Sequence, residues 1–486
     1  MTDMAQLPRT PRVLCLLAAT SLLAGCAVGP DFLRPAPPAV TGYLREPAAP
    51  VGTGDQNILV GADIPGRWWS LFRSPALDRL VDQALKNNAD LQSAKAALRA
   101  ARETYSAQQG ALLPTLDASY NVTRQQASGT PATPLTSGQN IFTLHTAQLS
   151  IGYAPDLFGG VRRQTETAAA QAEAQRFETE AAYMTLTSNL VAAVIQRAAL
   201  RGQIDAAERI VTANRQILDL LTAQKAAGQI SGADVAAQDA ALAQAEQALP
   251  PLRKQLAQQN DLIAALCGSL PSEAAGADIG LDDLTLPKDV PLSLPAKLVD
   301  QRPDVRVAEA NLHAASAQVG VAIANRLPSF ALAANAGGAS TQIANLFSQG
   351  NGFWSLGATV TQPIFQGGTL LHRQRAAQAA FEQAKAQYRG TVIDAYQNVA
   401  DALQALQADA AALQAANRAE QSAGASLAIV RKQLELGGVS NVAVLNAEQT
   451  YRQALLSQVQ AEASRYADTV ALIQALGGGW WNRNDA

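Results

Sequence analysis

Cysteine, histidine and methionine each occur only three times in 486 residues, and aromatic side chains make up 5% of the chain. Three cysteines build no disulfide framework, and histidines as scattered as His145, His313 and His372 build no histidine-rich metal site. No acid or nucleophile recurs around them in a recognisable motif, so an enzyme has little to stand on. Ten phenylalanines offer little bulky material for a conventional core. Charge is sparse at 16%, with a net value of −3, and the missing basic surplus argues against nucleic acid as a partner. No apolar run reaches the ~20 residues of a spanning helix. What the chain has instead is alanine, mixed with Gln, Glu, Lys and Arg, within a hydrophobic share of 48%. Such stretches suit long helices packed closely side by side.

Residues 1–25 read as a bacterial export signal, with Arg9 and Arg12 ahead of the apolar run Val13 to Leu23. The run ends in Leu23-Ala24-Gly25-Cys26, which resembles a lipobox and makes Cys26 an acylated N-terminus. The alternative is an ordinary signal peptide with a chance cysteine. Ala27 in place of aspartate points, by resemblance to sorted lipoproteins, to the outer membrane. The mature 461 residues carry 35 basic and 39 acidic groups, a net −4. Acyl chains anchor without spanning, so any transmembrane passage comes from elsewhere. Residues 26–66, rich in Pro, Gly and Ala, are expected to form an extended lipidated tether. The aromatics of Arg67-Trp68-Trp69-Ser70-Leu71-Phe72 suit packing of that tether onto the body better than binding of a ligand.

An internal repeat sets the architecture. Asp90 and Pro114 recur 214 residues later as Asp304 and Pro328, each pair bracketing a helical run. Pro155-Asp156-Leu157-Phe158-Gly159-Gly160 is echoed by Pro363-Ile364-Phe365-Gln366-Gly367-Gly368, and Gly228-Gln229-Ile230-Ser231 by Gly437-Gly438-Val439-Ser440. Repeat 1 is therefore expected over 67–298: strands at about 115–123 and 143–154, a long helix 161–226, a tip turn 228–234, a helix 235–270 and an equatorial segment 271–298. Repeat 2 is expected over 299–476: strands at about 329–337 and 353–362, a long helix 369–435, a tip turn 437–441 and a helix 442–476, with a tail 477–486. Pro114, Pro155, Pro328 and Pro363 sit at the helix–strand junctions, where the backbone must stop being helical. The Gly-Gly pairs then allow a sharp turn into the next helix.

The strands alternate: Leu116, Ala118, Tyr120 and Val122 take one face, Asp117, Ser119 and Asn121 the other. Ala147, Leu149, Ile151 and Tyr153, then Phe330, Leu332, Ala334 and Ala336, then Trp354, Leu356, Ala358 and Val360 continue the apolar face. Ten-residue segments of this kind fit a lipid-facing barrel with a wet lumen, although alternation alone fits an amphipathic soluble sheet as well. The long helices keep a heptad beat, as in Leu200, Ile204, Ala207, Val211, Asn214, Leu218 and Leu221, which indicates supercoiled, laterally packed helices. Asn214 either faces a channel or sets register. Four strands cannot close a membrane barrel; a dimer would give eight, which conduct poorly, and a trimer twelve, so a conduit favours three chains.

With these residues in hand the chain resembles the outer membrane factor family of TolC-like exit ducts, in its lipoprotein branch. The matching stretches are Cys26-Ala27-Val28-Gly29-Pro30-Asp31-Phe32, Trp68-Trp69-Ser70-Leu71-Phe72, Gln301-Arg302-Pro303-Asp304-Val305, Gln362-Pro363-Ile364-Phe365-Gln366-Gly367-Gly368 and Ala475-Leu476-Gly477-Gly478-Gly479-Trp480. The resemblance implies a homotrimer: a twelve-stranded outer-membrane barrel continued by a twelve-helix periplasmic coiled-coil tunnel. It implies efflux in a tripartite assembly with a periplasmic adaptor and an inner-membrane transporter. It implies no cofactor beyond the covalent lipid on Cys26. The adaptor-contact turns are those at Gly228, Ser231, Gly437, Gly438 and Ser440. Family members narrow their entrance with rings of aspartate and leucine near the second turn, at positions corresponding to Val442, Ala443 and Asn446. Valine keeps an apolar constriction, while the acids are missing. Asp234 is the acid left nearby, and it has two readings: a three-fold gate ring, or a helix-start cap beside Ser231. Type I secretion and a non-channel coiled-coil lipoprotein are the competing functions.

Overall fold

The computed structural model describes residues 27–44, 56–126, 141–273 and 279–483. The signal 1–25 and the lipidation position Cys26 lie outside the described residues. In chain order, β1 (Asn57–Val60) and a 3₁₀ turn (Trp68–Phe72) lead into α1 (Pro75–Asn87) and α2 (Ala89–Gly110). Next come β2 (Thr115–Gln126), β3 (Ile141–Tyr153) and the 67-residue α3 (Gly160–Ala226). α4 (Gly232–Gln247), α5 (Leu249–Leu266) and β4 (Asp289–Leu292) follow. Then α6 (Pro295–Gln301), α7 (Pro303–Ala324), β5 (Ser329–Ser340), β6 (Gly352–Thr361), a second 67-residue helix α8 (Thr369–Glu435) and α9 (Asn441–Ala475) complete the chain. Among the described residues no helix is long and apolar enough to cross a membrane.

The described residues fall into two compact units. One holds 27–34, 98–126, 141–174 and 308–388. Its centre is an antiparallel sheet in the order β2-β3-β5-β6. The register lines up the apolar positions across all four strands: Ala118 opposite Leu149, Leu149 opposite Ala336, Ala336 opposite Trp354. The polar row runs beside it, with Asp117 opposite Ser150, Ser150 opposite Asn335 and Asn335 opposite Ser355. A slip of one residue would reverse every side chain, so this alignment is what a two-faced sheet requires. β2 and β6 are edges, each paired on one side only. Leu116, Tyr120, Leu149, Ile151, Trp354, Leu356 and Val360 are all exposed.

The other unit holds 35–44, 56–97, 175–273, 279–307 and 389–483. The heptad seam of α3 is buried: Leu200, Ile204, Ala207, Val211, Asn214 and Leu221 all face inward. Ile204, Ala207 and Val211 meet Leu242, Ala245 and Leu249 of the returning chain. Asn214 receives two hydrogen bonds from Gln238 Nε2, both at 3.0 Å, one on its backbone and one on its side-chain oxygen. Within the protomer its partner is therefore Gln238, which suits a register device. Trp68, Trp69 and Phe72 are fully buried, with Trp69 near Tyr183 and Phe72 near Tyr466. These aromatics pack.

Three expected boundaries shift for physical reasons. The helix expected over 235–270 is two helices, because Pro250 and Pro251 offer no backbone N–H and crowd the preceding turn. The tip turn expected over 228–234 is shorter, since Ser231 already caps a helix that starts at Gly232. The run expected to start at Val299 is interrupted at Arg302, where Pro303 forces its neighbour into extended backbone. The tether also holds more structure than expected, since β1 pairs in parallel with β4.

Candidate functional site

The two turns between long helices are the first candidate. Both are closed by glycine in the left-handed region, Gly228 at φ 72° and Gly437 at φ 71°. At each, two backbone N–H groups turn back onto the last carbonyls of the helix. Gly228 N donates to Lys225 O (2.9 Å) and Gln229 N to Gln224 O (2.9 Å). Gly437 N donates to Leu434 O (3.0 Å) and Gly438 N to Gln433 O (2.8 Å). This is the Schellman pattern, which satisfies carbonyls that the helix itself leaves open.

The side chains of the two turns differ. Ser231 and Asp234 form a reciprocal capping box: the Ser231 hydroxyl accepts from Asp234 N, and the Asp234 carboxylate accepts from Ser231 N at 3.2 Å and from its hydroxyl at 2.7 Å. Ser440 has the same backbone angles as Ser231 but makes no side-chain cap bond. Ala443 stands where Asp234 stands in the first turn. Val442 is exposed, as is Asn446, whereas Val444 is fully buried. Inside the protomer it is therefore Val444, not Val442, that packs at the start of α9. Arg431 of α8 and the buried Glu448 of α9 close the second hairpin with an ion pair at 2.8 Å.

The other ends of these helices repeat a second device. Gly268 and Gly477 have φ 70° and 99°, and a Cβ on either would strike a carbonyl oxygen, Asn87 O at 2.4 Å or Gln301 O at 2.3 Å. Beside each contact a side chain caps the helix end: Asn88 Nδ2 donates to Leu266 O (3.1 Å), and a guanidinium N–H of Arg302 donates to Ala475 O (2.9 Å).

The four proline junctions lie in the unit that holds the sheet. β2 and β5 begin directly after Pro114 and Pro328. Past Pro155, the Asp156 carboxylate accepts from Val161 N (3.1 Å) and Arg162 N (2.8 Å), which caps α3. Ile364 occupies the matching place after Pro363, and it and Phe365 are almost fully exposed.

Sequence reasoning missed one assembly in this unit. Residues 27–34 are a docked strap. Val28 N donates to Phe158 O, and Arg163, buried, donates to Val28 O (3.1 Å) and to Asp31 (2.7 Å). Arg163 also pairs with Glu166 (2.7 Å), Glu166 meets His313 (2.8 Å), and Phe32 stacks on His313 at 4.3 Å. Gly29 approaches Gly320 so closely that a Cβ would sit 2.4 Å from the Gly320 Cα. The signal available in the sequence was small: two glycines far apart and one arginine in a first helical turn. Cys267 is buried and its thiol pushed up to about 11 by that burial, the opposite of an activated nucleophile.

The family model for the outer membrane efflux protein matches residues 80–269 and 294–478, two segments that each carry one helix–strand–strand–helix run. The chain is similar to the pyoverdine export outer membrane protein OpmQ of Pseudomonas putida, with 28% identity over 474 residues, 97% of this chain and 98% of that protein. It is similar to the probable efflux pump outer membrane protein TtgC of the same species, with 28% identity over 478 residues, 98% and 97% of the two chains. Among solved structures, the outer-membrane channel OprN matches with a TM-score of 0.85 and 27% identity, covering 94% of this chain and 100% of that one. This chain belongs to the outer membrane efflux protein family.

Proposed function

We propose that three copies of this chain form the outer-membrane exit duct of a tripartite efflux pump, a twelve-stranded barrel continued by a twelve-helix tunnel. The observation that carries this reading is the sheet: four strands with two open edges and an exposed apolar face. In lipid an unpaired backbone group costs several kcal/mol, so edges such as β2 and β6 must find partners. Edge-to-edge addition of identical chains supplies them, and twelve strands leave a lumen lined by the row Asp117, Ser150, Asn335 and Ser355. Each chain is two copies of one unit, which the shared glycine geometry 209 residues apart supports. Acylation at Cys26 fits the strap, since Ala27 lies against Gly159 at the start of α3. The turns at Gly228 and Gly437 meet the adaptor, and Asp234, Val442 and Asn446 line the closed entrance. Conduction is passive, with energy supplied by the partner transporter.

The test is conductance. The full-length protein, purified in detergent and reconstituted, is expected to run as a trimer and to open discrete ion-conducting events in a planar bilayer. A membrane-bound monomer without conductance would overturn the duct and favour a non-channel lipoprotein.

A further inference from the structure

β2 and β6 are the open edges of the sheet, and every pairing inside it is antiparallel, so β6 laid against the β2 of a second copy is antiparallel too. β2 has twelve residues and β6 ten. Their apolar side chains stand at even positions: Leu116, Ala118, Tyr120 and Val122 on β2, Trp354, Leu356, Ala358 and Val360 on β6. One apolar face survives the joint only where an even position stands opposite an even one, because a slip of one residue turns every side chain over. Two alignments meet that condition and pair the whole of β6: Gly352 opposite the partner's Gln126, or Gly352 opposite the partner's Arg124. Carried along the row Ala118, Leu149, Ala336 and Trp354, they stagger each copy against the next by six residues or by four. Over four strands these staggers tilt the strands by about 45° or about 35°, both usual for a membrane barrel. The side chains decide between them.

Arg124 lies two residues beyond Val122, so it stands on the apolar row of β2, at its rim, exposed and opposite Thr143 of β3. A guanidinium keeps its charge, and beside a lipid-facing band it is costly unless covered. Trp354 is the first large side chain on the apolar face of β6 and is 80% exposed. With Gly352 opposite Arg124, the guanidinium meets a residue without a side chain, and Trp354 meets Val122. With Gly352 opposite Gln126, Trp354 stands opposite Arg124. We infer that the copies join in this second way, and that Arg124 and the partner subunit's Trp354 form a cation–π pair at each joint of the barrel. Directly opposite Cβ atoms lie about 4.5–5.5 Å apart, so the guanidinium reaches the indole face within about 6 Å. The same register sets Thr123 opposite the partner's Ser355 and Asp117 opposite the partner's Thr361, which keeps the polar row unbroken around the lumen. This rests on the trimeric duct proposed above and adds the residues that fix its seam.

Cysteine pairs read the register. Ser355→Cys is combined in the full-length protein with Asn121→Cys, Thr123→Cys or Gln125→Cys, and disulfide formation in outer-membrane vesicles is followed on denaturing gels. The pair with Thr123→Cys is expected to cross-link roughly tenfold faster than the others, whose diagonal Cα atoms lie about 7–8 Å apart, beyond easy disulfide reach. Dissociation of the trimer on heating reads the side chains. Trp354→Leu and Arg124→Gln are each expected to speed it by roughly five- to thirtyfold, and the double variant no more than the faster single one. Trp354→Phe, which keeps a ring, should lose less. Fastest cross-linking at Asn121→Cys or Gln125→Cys, or multiplied effects in the double variant, would overturn the pairing while the trimer stands. A trimer whose dissociation ignores both variants would put Arg124 on lipid phosphate instead, and overturn it as well. A chain that never leaves the monomer would sink the duct itself and the pairing with it. Should the Arg124 or Trp354 variants fail to assemble, the cysteine pairs, which leave both residues in place, decide alone.

Discussion

The sharpest quantitative expectation concerns glycines that share a conformation but not a neighbourhood. Gly437, Gly268 and Gly477 all sit at positive φ, so alanine at any of them adopts a left-handed backbone at a cost of about 1–2 kcal/mol. At Gly437 nothing lies within 4 Å of an added Cβ, and that cost is the whole effect. At Gly268 the Cβ would stand 2.4 Å from Asn87 O, so the α1–α2 junction has to move. At Gly477 the Cβ would stand 2.3 Å from Gln301 O, which is also the acceptor for the buried Trp480 indole N–H at 2.7 Å. Moving that carbonyl strands the indole donor, which adds about 1–3 kcal/mol. Gly477→Ala is therefore expected to lose about 2–5 kcal/mol in all, with Gly268→Ala between the two others. Guanidinium unfolding of the purified protein, followed by tryptophan fluorescence, ranks the three. Hydrogen exchange at residues 476–478 shows whether the α9 end opens locally. Equal losses at Gly437 and Gly477 would refute the argument, since the carbonyl contact would then carry no weight.

Three further expectations follow from the caps and the strap. Asp234→Ala removes the capping box of α4 and should cost about 1 kcal/mol, read as faster exchange in its first turn, whereas Ala443→Asp should slow exchange at the start of α9 by supplying the missing cap. Arg302→Met leaves Ala475 O without its donor and Asp304 without its bidentate partner, a loss of about 2–3 kcal/mol that unfolding curves resolve. Arg163→Met unties the strap from α3, so chymotrypsin should cut after Phe32 faster than in the wild type; an unchanged rate would mean the strap is held by the Phe32–His313 stack, the Gly29 contact and the Arg34–Glu309 pair.

The alternating strands and the long helices were legible because each has one period sustained over many residues. The register of Ala118, Leu149, Ala336 and Trp354 follows from alternation once the strands are paired. The expected second long helix matched to the residue, because Gly368 before it and Gly437 after it are both backbone stops. What escaped was whatever depends on a distant residue. Nothing local marks Arg163 as the floor under Asp31, or Gly320 as the seat of Gly29. Val444 was hidden for a different reason: a heptad counted along α9 fixes spacing, not which neighbour the stripe faces, and α9 has neighbours on more than one side.

The two halves of the chain agree in backbone and disagree in side chains, and the disagreement follows a pattern. Both halves end their long helices with the same Schellman pair and seat a glycine on a carbonyl at the far end. The first half then adds local restraints: Asp156 capping α3, Ser231 with Asp234 capping α4, and Gln238 gripping Asn214. The second half replaces them with Ile364, Ala443 and an uncapped Ser440, and closes its tip with the Arg431–Glu448 pair. Charge crosses the seam in the first half as well, Arg215 with Glu246 and Arg253 with Glu208, but those pairs are exposed and screened by salt, whereas Glu448 in the second half is buried. The first hairpin, whose return path is already broken by Pro250 and Pro251, is thus pinned at its ends by short-range bonds. The second is a continuous α9 whose buried Glu448 is held laterally by Arg431, so loss of Arg431, which strands a buried acid, should cost the second hairpin more than loss of Arg215 or Arg253 costs the first.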